Sequence, residues 1–258
     1  MFPAFYAQTQ NFTFYRITMN KNNLCIATIS WARNENEEKV LTNALEQLAS
    51  FNIPVFITDG GSRDSFLQFL QNIPHFTLLK AEGKGVYAQA KNSLQAAGQT
   101  GSSFILYTEP DKEDFFRAGL PSLLDRVEEA ASLGVHLASR SKTGFATFPA
   151  FQQMTETTIN NCCKELIGDD VDYTYGPFLL NKKLVAYLDK VYEDIGWGWR
   201  PFIFTIAKRL GLDVKAFVQD FACPEEQRND DQKERVYRMR QLEQNIRGIV
   251  LAANAELS

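Results

Sequence analysis

Histidine is nearly absent from this 258-residue chain, with two copies, and cysteine is scarce, with four. Cys25, Cys162, Cys163 and Cys223 form no C-x-x-C pair, and neither His75 nor His136 stands near a cysteine, which excludes the usual spacings of a structural zinc. The expectation is reduced thiols in a cytoplasmic protein. No run of about eighteen apolar residues occurs, so no membrane span is expected, and the first residues lack the apolar segment of a secretory leader. Basic charge is lacking too. Against 31 Asp and Glu stand 27 Lys and Arg, and a net charge of −4 gives no footprint for nucleic acid. There is no internal repeat, no low-complexity stretch and no linker to divide the chain.

What is present is an ordinary globular composition, 45% apolar and 22% charged, long enough for one large α/β domain. Residues 1–22 read as an N-terminal arm or an irregular edge strand ("FTFYRITM"), and residues 23–258 as a single domain. Strands are expected at "LCIATIS" (24–30), 53–58, "HFTLLKA" and "SSFILYT", with helices between them whose apolar residues recur at helical spacing, as at Val40, Leu41, Leu45 and Leu48. Further on, a helix over 117–133, a strand over 134–141 and a helix around 150–166 are expected. An extended piece and a Gly176-Pro177 turn then lead into a helix. Last come the helix "WRPFIFTIAKRLG", the strand "LDVKAFVQDF" and a charged helix reaching about 253. Strands that are near-continuous apolar runs alternating with helices predict a mostly parallel sheet covered on both faces. In such sheets ligands bind beyond the carboxyl ends of the strands. The polar clusters at 33–38, 59–64 and 109–114 fall at those ends.

The last of these clusters begins where "SSFILYT" stops, at Glu109-Pro110-Asp111. Two acids at a buried strand's end either form a solvated loop or hold a divalent cation and, through it, a phosphate. Likewise "DGGSRD" at 59–64 either lines a ligand or is a turn in which Ser62 or Asp64 caps the next helix.

Four segments in order carry a resemblance. "ATISWARNENEEKV", "FITDGGSRDS", "GKGVYAQAKNSL" and Glu109-Pro110-Asp111 resemble, respectively, the first strand and loop, the D-D-G-S-x-D segment, the glycine-lysine loop and the D-x-D motif of family 2-like glycosyltransferases. The resemblance covers residues 24–116 and is loose beyond. It implies a GT-A fold, with a nucleotide-binding half at about 23–116 and an acceptor half at about 117–258. It also implies transfer of a sugar from a nucleoside-diphosphate sugar to a small soluble acceptor, with Mg²⁺ or Mn²⁺ as cofactor. By the same carry-over, Asp111 is the metal ligand and Glu109 assists it or meets the ribose. Arg33, Glu35, Asp59, Gly60, Gly61 and Lys84 line the nucleotide pocket. Such a cation suits the chemistry, because negative charge develops on the departing diphosphate and hard oxygen ligands hold the ion.

The chain also departs from the pattern. Inverting members place an acidic pair at the start of a late helix, where one carboxylate acts as general base. Counting back from Gly211, that pair falls here on Trp199 and Arg200. Glu193 and Asp194 lie just upstream as substitute catalytic acids. Either the enzyme retains configuration, as in the mannosylglycerate-synthase and glucosylphosphoglycerate-synthase kinds, or the fold only binds a sugar nucleotide. In the first case "GWGWRPF" forms an acceptor pocket with Trp197 or Trp199 and Arg200, edged by Asp172, Tyr173 and Tyr175. The alternative for the tryptophans is core packing. A sugar-1-phosphate nucleotidyltransferase ranks lower, since "SWARNENEEKV" lacks its glycine-rich loop.

Overall fold

Strand residues of this chain alternate between two apolar layers, and that alternation organises the molecule. The computed structural model describes residues 19–257. Most of the expected N-terminal arm, residues 1–18, therefore lies outside the described residues, and its last part forms a short 3-10 turn at Lys21–Asn23. β1 (Leu24–Ser30) is buried throughout its length. Its Cys25 and Ala27 face one core and Leu24 and Ile26 the other.

After β1 come α1 (Glu35–Ala49), β2 (Val55–Asp59), α2 (Asp64–Asn72), β3 (Phe76–Lys80), α3 (Val86–Gly98) and β4 (Phe104–Tyr107). Asn34 caps α1 by accepting from the Glu37 amide, and Glu35, Glu37 and Glu38 place negative charge in its first turn, where the helix dipole favours it. The second half contains α4 (Leu120–Arg126), β5 (Leu133–Arg140), the short α5 (Lys142–Phe145), α6 (Ala150–Ile167), β6 (Phe178–Asn181), α7 (Trp199–Arg209), β7 (Asp213–Gln219) and α8 (Gln232–Asn254).

All seven strands join one sheet in the order β3-β2-β1-β4-β6-β5-β7. Only β6 runs antiparallel, paired to β4 on one side and β5 on the other. The mostly parallel sheet with helices on both faces is the architecture expected. Under one face pack α3, α6, α7 and α8; under the other pack α1, α2 and α4.

Two expectations are corrected. The helix over 117–133 is shorter. A wide turn at Phe115–Gly119 precedes α4, which starts with Pro121 in its first turn and ends at Arg126. The piece after Gly176-Pro177 enters the sheet as β6, and a 3-10 helix over Lys182–Lys190 comes directly after it. A four-residue apolar run has too little length for its period to separate strand from helix.

Candidate functional site

The carboxyl ends of β1, β2, β4 and β5 and the entry to β6 share one edge of the sheet, because β6 alone runs the other way. A cavity of about 450 Å³ opens there, closed on its far side by α6 and α8. Of the residues singled out in the sequence, Arg33, Glu109, Asp111, Tyr175, Trp197 and Arg200 line it.

The two strand-end acids have different environments. Glu109 Oε1 accepts from Arg200 Nη1 at 2.7 Å, in a pair whose side chains are 12% and 8% exposed. Its Oε2 is buried without a partner. Gly176, at φ 127°, lies so close that a Cβ there would overlap that oxygen, so this position needs glycine twice over. Asp111 accepts from Gln227 Nε2 at 3.2 Å. The other acids lining the cavity are each paired, Glu109 with Arg200, Glu156 with Arg140 and Glu234 with Arg238. Among the described residues Asp111 is the one lining carboxylate that no lysine or arginine pairs. Neighbouring Lys112 rests its ammonium 5.2 Å above the Tyr175 ring, which stacks on Phe221 at 4.4 Å.

The wall formed by β5 and α6 holds a buried ionic network. Arg140 donates to Asp172 through Nε at 2.5 Å and to Glu156 and Thr174 through Nη2 at 2.6 and 2.8 Å. Phe145 and Phe148 cover its guanidinium at 4.7 and 4.2 Å. Burial alone pushes the Asp172 carboxyl up, but Arg140 and the Thr174 hydrogen bonds outweigh it and hold the group at about 2. Arg140, buried against two acids, stays charged; burial opposes the charge and Asp172 and Glu156 restore it. Asp172 is thus a structural anion under the wall and does not edge the cavity.

Other expected site residues are placed elsewhere. Trp199 is fully buried in the core, edge-on to Tyr107 at 4.6 Å, which corrects its assignment to the acceptor pocket. The two tryptophans diverge because the Gly196–Gly198 turn sets Trp197 toward the cavity, with its indole N–H on Tyr237 at 3.0 Å, and starts α7 with Trp199 inward. Glu35, Asp59, Gly60 and Gly61 do not line the cavity. Glu35 is exposed opposite Arg63. The Asp59 carboxylate is saturated by its own turn and by β1, accepting from Ser62 Oγ, the amides of Gly61 and Ser62, and Ser30 at 2.6–2.8 Å. Gly61 takes φ 107° there, and the Gln89 amide backs Gly60. This is the turn reading of "DGGSRD". Lys84, Glu193 and Asp194 line a different cleft of about 440 Å³. Glu193 is paired with Arg247, and Asp194 accepts from the Gly196 amide at 2.9 Å, so neither reaches the strand-end acids as a catalytic base.

Sequence reasoning missed Arg140, Glu156, Gln227 and Arg238, all of which line the cavity. Arg140 carried a usable signal, a charge ending an apolar strand as Glu109 ends β4. Nothing in the sequence marked Gln227.

No family model matches the chain, and no curated protein matches it by sequence. Solved structures do match. Glucosyl-3-phosphoglycerate synthase from Mycobacterium tuberculosis in complex with UDP superposes with a TM-score of 0.63 at 15% identity, over 92% of this chain and 83% of that one. The same enzyme with Mn²⁺, UDP and glucosyl-3-phosphoglycerate gives 0.60 at 16% identity, over 92% and 83%. Mannosyl-3-phosphoglycerate synthase from Rubrobacter xylanophilus gives 0.62 at 14% identity, over 92% and 77%. These likenesses establish a shared GT-A fold.

Proposed function

We propose that this GT-A-fold chain is a glycosyltransferase that moves a sugar from a nucleoside-diphosphate sugar to a small soluble acceptor with a divalent cation. The observation that carries the reading is the unpaired Asp111 carboxylate at the end of β4, facing a cavity lined by Arg33, Lys112, Arg140, Arg200 and Arg238. The four arginines are each held by an acid, so the fit to a divalent cation rests on Asp111, the lining carboxylate without a counter-ion among the described residues.

The donor set fits Mg²⁺ or Mn²⁺ in a restricted way. Among the described residues no cluster of three metal-binding side chains exists, and Glu109 is held by Arg200. One carboxylate suffices, however, when substrate phosphates and water complete the shell. Asp111, with the Gln227 amide beside it, would hold the ion, which when bound would offset charge on the departing diphosphate. Lys112 supplies positive charge for the phosphates, while the Arg33 guanidinium is already forked onto Glu37 at 2.7–2.9 Å. Trp197 offers an aromatic face for a sugar ring, with Tyr175 beside it for hydroxyl groups.

What stands at the start of α7 supports a reading of transfer with retention. Trp199 is core and Arg200 is a cation, so that position offers no base. The acceptor hydroxyl adds to the sugar's C1 on the face the diphosphate leaves, and its proton passes to a departing phosphate oxygen. The likeness to synthases solved with UDP, Mn²⁺ and phosphoglyceric acid supports a uridine donor and an anionic acceptor of that class. Unpaired thiols at all four cysteines support a reducing, cytoplasmic setting. No helix among the described residues is long and apolar enough to cross a membrane.

A second reading, a sugar-nucleotide-binding module without turnover, is favoured by the saturation of Asp59 and Glu109. One panel separates the two. UDP, GDP and ADP are tested by thermal shift with and without Mn²⁺, followed by release of nucleoside diphosphate from the matching sugar nucleotide with phosphoglyceric acid present. Ligand at about 100 times Kd stabilises by roughly 2.7 kcal/mol, about 5–10 °C for a chain of this size. A shift with turnover supports the transferase, a shift without turnover the binding module, and no shift removes both.

A further inference from the structure

The Glu109–Arg200 pair has features that an ordinary surface ion pair lacks. Both side chains are about nine-tenths buried. Each also retains an unpartnered polar atom, Glu109 Oε2 and Arg200 Nε, with no exposed surface. Glu109 lines the cavity without an oxygen free for a cation, since Oε1 accepts from the guanidinium and Oε2 is buried against Gly176. Arg200 is held in place from two sides. It follows fully buried Trp199 in the first turn of α7, and its guanidinium lies 4.9 Å from the centre of the Trp197 ring. Swinging Glu109 onto a cation would leave that guanidinium buried without a counter-ion, the unfavourable half of a broken buried pair.

We propose that Arg200 is a positioning residue that withdraws Glu109 from metal coordination, so that a divalent cation in this cavity is held by Asp111 as its single carboxylate. The inference deepens the transferase reading and rests on it for the presence of a cation. It makes Glu109-Pro110-Asp111 a motif of two separate roles. Asp111 faces the substrate, while Glu109 and Arg200 together fix the floor beneath it. Proline between them holds the two acids apart, and the 91 residues separating Glu109 from Arg200 are bridged by the packing of α7 against the sheet.

The test is a Mn²⁺ titration read by electron paramagnetic resonance, which counts free aquo-ion, with UDP present and folding checked by circular dichroism. Asp111→Asn is expected to weaken Mn²⁺ binding about tenfold or more, whereas Glu109→Gln changes it less than about threefold. Arg200→Met releases Glu109 and is expected to tighten binding about tenfold, a gain that disappears in Arg200→Met/Glu109→Gln. A purely structural role for the pair would move stability and leave these affinities alone. Equal losses for Glu109→Gln and Asp111→Asn overturn the proposal, as does a folded Arg200→Met that binds Mn²⁺ no better than wild type. If Arg200→Met does not fold, the comparison of Glu109→Gln with Asp111→Asn decides alone. Absence of Mn²⁺ binding in wild type overturns the proposal and removes the metal from the functional reading, whereas nucleotide binding without Mn²⁺ leaves the binding reading in place.

Discussion

Replacing Asp172 by asparagine tests whether the network under the cavity wall is held by charge or by shape. The substitution keeps volume and one acceptor but removes the anion that Arg140 meets through Nε and Nη2. Arg140 is 1% exposed at its side chain, so it has no water to turn to and keeps only Glu156 as a counter-ion. Breaking a buried pair costs about 3–5 kcal/mol when the remaining charge is left alone. A carboxyl held at about 2 in place of 3.8 corresponds to roughly 2 kcal/mol of preference for its ionised form. With Glu156 still in place, the expected loss is about 2–4 kcal/mol, or roughly 5–15 °C in Tm. The sign of the pH dependence comes from the depressed value. The contribution is complete above the unfolded value near 4 and is lost as pH falls toward 2, so the gap between wild type and Asp172→Asn is full at pH 7 and narrows below pH 4. Urea melts at pH 7 and pH 3 measure it. Asp170→Asn is the control, since its 3.2 Å pair with Lys164 is 83% exposed on the acid and contributes below about 0.5 kcal/mol. If Asp172→Asn melts within about 1 °C of wild type at pH 7, or if its deficit does not change with pH, the charge argument is wrong.

Three other outcomes rest on the same packing. Trp199→Ala should lose about 3–5 kcal/mol in a urea melt, as a buried aromatic does, while Trp197→Ala stays within about 1 kcal/mol and instead weakens ligand binding in calorimetry. Gly176→Ala should lower Tm by several degrees, about 1–3 kcal/mol from the positive φ alone, with the overlap on Glu109 added. Burial, with Lys215 nearby, lowers His136 to about 4, so the fold favours the neutral ring. Stability should therefore be full above pH 6.5 and fall by roughly 3 kcal/mol toward pH 4, a slope that His136→Phe flattens and unfolding curves across that range will register.

The first half of the sheet was legible because each strand there is an apolar run bounded by turn residues, with a helix of clear period between neighbours. The strand-end rule then brought Arg33, Glu109 and Asp111 to one cavity without any knowledge of contacts. What the sequence hid is pairing across distance. That Arg200 neutralises Glu109, that Gln227 reaches Asp111 and that Arg140 draws Asp172 and Glu156 under the wall all depend on segments brought together from separate parts of the chain. Trp197 and Trp199 stand two residues apart in one motif and take opposite fates. Only the geometry of the Gly196–Gly198 turn separates them, and composition carries no trace of it. Asp59 was misjudged for a related reason. Three of its four hydrogen bonds come from its own turn and the fourth from Ser30 on β1, and a turn satisfied in this way has the same letters as one that waits for a ligand.

The solitary antiparallel strand also has a kinetic meaning. β6 is four residues long, yet β4 and β5 touch the sheet's continuity only through it. Without β6 the sheet falls into a block of β3-β2-β1-β4 and a pair of β5 and β7. Parallel β-α-β units can assemble the first block in order of synthesis. The second is joined to it only through residues 178–181, whose pairing with both β4 and β5 closes long loops, the kind of contact that slows folding. The slot that receives β6 is also the slot whose entry carries Tyr175, Gly176 and Pro177 past Glu109, so the cavity takes shape in the same step that makes the sheet whole.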